Sequence, residues 1–110
     1  MSTESVRELL ELASKAEGVP LAWPTHPGAP DGISPRRTDT WAVWNPLADD
    51  GDALRLAVKL RMQIDIGVGA VLALPLKSTH SSIEHFTDDA MPATRRAIFL
   101  AAVEIGRAMP

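Results

Sequence analysis

A chain of 110 residues can bury one modest core but not two, and a composition 45% hydrophobic and 23% charged excludes a globally disordered polymer. Fourteen acidic against eleven basic residues give a formal net charge of -3, which argues against nonspecific nucleic-acid binding through bulk positive charge. The absence of cysteine removes disulfides, thiol catalysis and thiolate metal sites together, and it fits a reducing compartment.

The stretch Met1 to Glu8 has early acids and no unbroken apolar run, unlike a signal peptide. The longest apolar run, Val68 to Leu76 with Gly69 and Pro75 inside it, is about half the length of a membrane-spanning helix. The expectation is a cytoplasmic protein with no membrane partner.

Val6, Leu9, Leu10, Ala13 and Ala16 recur at helical spacing, with Ser5 and Glu8 in the form of a capping box and Gly18 placed to close the end. A first helix is predicted from about Ser2 to Glu17. Glu11 and Lys15 stand four apart with the acid first, the better order for a helical ion pair. From Val19 to Thr40 the prolines at 20, 24, 27, 30 and 35, with Gly28 and Gly32, exclude a regular helix and most of a strand. This is a long irregular arm, and Trp23 is placed to pin it to the body by burying its ring.

Trp41-Ala-Val-Trp44 is β-prone and reads as either an edge strand or an extended lead-in. Asn45-Pro46 blocks helix at Asn45, Asp49 or Asp50 can serve as N-cap, and Asp52 suits the helix dipole. A second helix is predicted from about Gly51 to Met62. Leu54, Leu56, Ala57, Val58 and Leu60 cover a broad arc of it, against a narrow stripe of Asp52, Arg55 and Lys59, so the helix is expected to be mostly buried. Arg61 falls inside the apolar arc but in the last turn, where its charge suits the helix terminus.

Between Gln63 and Phe86 the pattern becomes β-branched and aliphatic residues broken by glycine, predicting three short antiparallel strands. Gly67 and Gly69 mark the first turn, Pro75 ends the middle strand or marks a bulge, and Lys77-Ser-Thr makes the second turn. The last helix begins after Thr87-Asp88-Asp89, tolerates Pro92 in its first turn and runs nearly to Met109. Ile98, Ala101, Ala102, Ile105 and Met109 form its central stripe, flanked by Phe99, Val103 and Gly106, and its small residues permit close packing on a sheet or partner.

Asn45-Pro-Leu, Asp49-Asp-Gly-Asp-Ala-Leu-Arg-Leu-Ala-Val-Lys-Leu60, Ala93-Thr-Arg-Arg-Ala-Ile98 and Ala101-Ala-Val-Glu-Ile-Gly-Arg-Ala-Met109 together resemble small phage and prophage proteins of unknown function. These are related to the phage ABA sandwich domain. The resemblance covers roughly the last two thirds of the chain. It implies an α/β/α-type sandwich of α+β class, with three helices on the two sides of a small antiparallel sheet of three or four strands, and a prophage origin. It implies no reaction. The arm matches poorly, and Arg61-Met62 stands where that group would have a glycine-led turn.

Arg95 and Arg96 lie in the first turn of the last helix, where the dipole favours anions and a pair of cations is unfavourable. Thr94, Arg95, Arg96 and free amides would suit a phosphate or a partner carboxylate. The competing reading neutralises the arginines internally with Asp88, Asp89 or the Asp49-Asp50 pair, and is favoured because structural ion-pair networks often imitate sites. Asp49-Asp-Gly-Asp52 superficially suggests a calcium loop but lacks the alternating ligands, so capping explains it better. His26, His80 and His85 are too scattered for a metal site. Ser78, Ser81 and Ser82 near His80 have no nucleophile elbow or oxyanion loop around them, and nothing signals that Glu84 with Asp88 or Asp89 is buried enough to be tuned.

Pro35-Arg36-Arg37 reads either as a recognition arm or as a solvated loop. Trp41 and Trp44 suit core or interface packing better than base stacking, given the acidic balance. The resulting expectation is a non-enzymatic, phage-derived accessory protein of the bacterial host cytoplasm, with no catalytic residue, metal or cofactor. Its partner is an unidentified phage or host protein or a second copy in a homodimer, met through Trp23, Arg36, Arg37, Trp41, Trp44, Thr94, Arg95 and Arg96. A nucleic-acid or phosphate-ligand module using Arg36, Arg37, Arg95 and Arg96 is the alternative, and an uncharacterised enzyme ranks third.

Overall fold

The computed structural model describes residues 5–24, 34–76 and 81–110. The first residues of the predicted first helix, the middle of the proline-rich arm with His26, and the Lys77-Ser-Thr turn with Ser78 and His80 lie outside the described residues.

Helix α1 spans Val6–Glu17 and carries the predicted signals at both ends. The Ser5 hydroxyl accepts from the Glu8 amide at 3.2 Å while the Ser5 amide donates back to the Glu8 carboxylate, and Gly18 ends the helix at φ 87. Glu11 and Lys15 do not pair as expected. Arg7 takes Glu11, and the Lys15 ammonium in the last turn of α1 donates to the Met109 carbonyl at 3.1 Å.

The arm is less irregular than its prolines suggest. Strands β1 (Leu21–Ala22) and β2 (Arg36–Arg37) pair antiparallel, and Arg36 forms an isolated bridge with Val43. Trp41–Trp44 is therefore the extended lead-in of the two readings, attached to this small ribbon and not to the main sheet. Trp44 is 1% exposed and anchors the lead-in to the core.

Helix α2 spans Asp50–Lys59 with Asp49 as N-cap, its carboxylate accepting from the Asp52 amide at 2.8 Å. It ends three residues before the expected Met62, because Arg61 turns the chain at φ 52. Arg61 is thus outside the helix, in the left-handed conformation a glycine adopts most easily. Its carbonyl accepts from the Leu76 amide at 3.1 Å, so the turn leads straight into a sheet ladder.

That ladder is an antiparallel sheet in the order β3-β4-β5, of Met62–Ile66, Ala70–Pro75 and Ser82–His85. Gly69, at φ 81, supplies the positive φ of the first turn. Pro75 ends β4 opposite Met62. Helix α3 spans Ala90–Ala108 behind the Asp89 N-cap.

The α+β class, the three helices and the three-stranded sheet agree with the sequence, but the layer order differs from the sandwich implied by the resemblance. Val71, Ala73 and Pro75 are buried against α3, and Ile64 and Ile66 on the same face border α2. Helix α1 packs on α3 and not across the sheet. The layers therefore run sheet, α3 with α2 beside it, then α1. The cause lies in α3, which buries Ala93, Ala97, Phe99, Val103 and Gly106 as well as Ile98, Ala101 and Ala102 of the expected stripe, while Met109 of that stripe lies past the helix and is exposed, and so α3 presents apolar surface to neighbours on several sides. Among the described residues, the opposite sheet face, with Leu72, Leu74 and Ile83 among Gln63, Asp65 and His85, carries no helix.

Candidate interaction surface

The two arginines at the start of α3 do not converge on one anion site. Arg95 donates through Nε to the Leu47 carbonyl at 2.9 Å and through a terminal nitrogen to Asp50 at 2.5 Å. Arg96 donates to Glu84 on β5 at 2.9 Å. Thr94 turns its hydroxyl back to the Ala90 carbonyl at 2.7 Å. The predicted trio is therefore divided among α2, the sheet and its own helix, with Asp50 among the acids anticipated and Glu84 not.

Asp52 is 7% exposed, so it does not share the solvent stripe proposed for it with Arg55 and Lys59. One carboxylate oxygen accepts from the Asn45 amide at 2.9 Å and the other from Arg55 at 2.7 Å. The Asn45 side chain in turn accepts from the Leu47 amide and donates to Ser34, so Asn45-Pro46 is a hub of backbone order. Each of Asp49, Asp50 and Asp52 has a structural partner.

In the arm, Arg37 joins Glu17 of α1 at 2.5 Å and makes a two-pronged contact with Asp39 at 2.9 and 3.0 Å. The Asp39 hydrogen bonds hold the Arg37 guanidinium well above its ordinary range, against the opposing effect of burial and with further help from Glu17. The same hydrogen bonds hold the Asp39 carboxyl below its usual value. Arg36 donates to the Trp41 carbonyl at 2.7 Å. Trp23 packs against the core with the Arg7 guanidinium 4.4 Å above its ring, as expected for a pin. Of the indoles proposed for binding, Trp44 is in the core, Trp23 is partly covered, and Trp41 is 60% exposed at a positive φ of 60.

Glu84 and His85 are neighbours on β5 and face opposite sides of the sheet, Glu84 toward Arg96. With Ser82 on the Glu84 side and His85 on the other, these residues do not assemble a nucleophile and base.

One exposed apolar feature was not singled out in the sequence. An apolar groove of about 320 Å³ lies between α2, β3 and the start of α3, bordered by Leu54, Ile64, Ile66, Met91 and Ile98. Leu54 is 63% exposed, Val58 one turn later 67%, and Ile66 58%. The sequence signal was the width of the α2 apolar arc: the core takes Ala53, Leu56 and Ala57, which leaves Leu54 and Val58 outside and corrects the expectation of a mostly buried helix.

Strand β3 borders this groove as the first strand of the sheet, with one edge unpaired among the described residues. The Gly67 amide donates to the Ala70 carbonyl and the Leu76 amide to the Arg61 carbonyl, so by antiparallel alternation residues 61, 63, 65 and 67 turn their backbone groups toward β4. Met62, Ile64 and Ile66 turn theirs to the open edge, where no hydrogen bond reaches them among the described residues.

The chain matches no family model, no curated protein and no solved structure. Among the described residues no helix is long and apolar enough to cross a membrane.

Proposed function

We propose that this chain is a non-enzymatic protein-interaction module whose docking surface is the groove between α2, β3 and α3. The observation that carries it is the coincidence of exposed Leu54, Val58 and Ile66 with a strand edge that is unpaired among the described residues. The charged clusters support the same reading, since Arg37, Arg95 and Arg96 are each engaged by an acid within the domain. A nucleic-acid or phosphate role would need those contacts to be released.

The phage origin and cytoplasmic setting rest on the resemblance of the Asn45 to Leu60 and Ala93 to Met109 segments and on the absence of cysteine. The test is a photo-crosslinking residue placed at Leu54, with Glu104 on α3 as control. Protein adducts are expected at Leu54 above the control. Equal, low labelling at both positions would contradict the reading, and tight salt-dependent capture of nucleic acid would replace it with the alternative.

A further inference from the structure

Resting on that reading, we infer that the occupant of the groove and of the β3 edge is a second copy of this chain, paired antiparallel through β3 about a two-fold axis at Ile64. The strand carries its own complement. The residues whose backbone groups face outward are Met62, Ile64 and Ile66, and a two-fold at Ile64 sets Ile64 opposite Ile64 and Met62 opposite Ile66 of the second copy. These are hydrogen-bonded positions of an antiparallel ladder, so all outward amides and carbonyls of the three residues find partners.

The side chains agree with this register on both faces. On the helix side every contact is apolar, Met62 with Ile66 and Ile64 with Ile64. On the other face Asp65 meets Gln63 of the second copy, an acceptor against a donor, and no two like charges stand directly opposite. Arg61 falls diagonal to Asp65 of the second copy.

The same axis brings the two α2 helices together, because α2 lies on the helix side of the sheet next to β3. Leu54 and Val58 then cover one another across the axis, together with Ile66. The opposite edge of the sheet is less suited, since on its helix side β5 presents Glu84, held by Arg96. One continuous six-stranded sheet, backed by helices on a single side, results.

Sedimentation equilibrium tests this on the full chain. At about 100 µM the expected mass is twice 11.8 kDa, and Leu54→Glu should weaken self-association at least ~10-fold with unchanged helical circular dichroism. Val58→Glu, at a position 67% exposed, repeats the test should Leu54→Glu lose its fold. Ile83→Glu, on the uncovered sheet face, should leave association unchanged. A wild-type mass of 11.8 kDa at about 1 mM overturns the inference, as does dissociation by Ile83→Glu but not by Leu54→Glu. A monomer whose Leu54 adducts contain another protein removes the second copy and keeps the docking surface, whereas a monomer with no adducts removes both.

Discussion

Gly106 of α3 lies against the main chain of Leu12 in α1, so closely that a Cβ on Gly106 would stand 1.9 Å from the Leu12 carbonyl oxygen. Backbone cannot yield as a flexible side chain does. Gly106→Ala must therefore separate α1 from α3, and a loss of about 3 kcal/mol in urea unfolding is expected. A loss below about 0.5 kcal/mol would mean that the helices do not cross there.

Asp52 holds the amide of Asn45 from inside the fold. Asp52→Ala leaves that amide unpaired and should cost about 2 kcal/mol, while Asp52→Asn keeps an acceptor and should cost about 1 kcal/mol. Arg55, exposed on its far side at 66%, contributes little to the difference. Equal losses in the two variants would show that the Asn45 contact is not what Asp52 supplies.

Arg95 joins the Leu47 carbonyl to Asp50, and the two contacts are unequal. Asp50 is 59% exposed, so Asp50→Asn should cost under about 1 kcal/mol, whereas Arg95→Ala also strips the Leu47 carbonyl of its donor and should cost about 2 kcal/mol. Thermal or urea unfolding of the two variants measures the gap. Titration with inorganic phosphate should leave the Thr94 to Arg96 amide resonances in place, because both arginines are already engaged by Asp50 and Glu84.

The Arg37–Asp39 contact has a defined acid dependence. The Asp39 carboxyl lies below its ordinary 3.8 in the folded chain, chiefly through hydrogen bonds from Arg37, so its contribution to stability is present above 3.8 and lost as pH falls through the folded value. Asp39→Asn should thus be less stable than the wild type at about pH 6, with the gap narrowing toward about pH 2. A gap that is constant with pH would remove the ion pair as its cause.

Local signals were legible. Ser5 with Glu8, Gly18, Asp49 and the turn glycine Gly69 act through contacts a few residues away, and each stands where the sequence placed it. Arg61 was harder: its helical register put it in the last turn of α2, and only its place where the resembled group has a glycine-led turn hinted at a glycine's conformation, which its carbonyl bond to the Leu76 amide holds. The layer order was not legible, because α3 is apolar on several sides and nothing in its periodicity says which side receives the sheet and which receives α1. The groove was half legible. The broad arc of α2 was visible, but only the fold divides Leu56 and Ala57, which are buried, from Leu54 and Val58, which are not.

Amide hydrogen exchange along β3 measures the open edge directly. The Gln63 and Asp65 amides face β4 and should exchange slowly at any protein concentration, while the Ile64 amide faces the edge. Self-pairing predicts that exchange at Ile64 slows several-fold, up to about 10-fold, between about 10 µM and about 1 mM protein, as the monomer fraction falls, with Gln63 and Asp65 unchanged. An Ile64 amide that exchanges at one fast rate across that range would contradict pairing of β3 with a second copy.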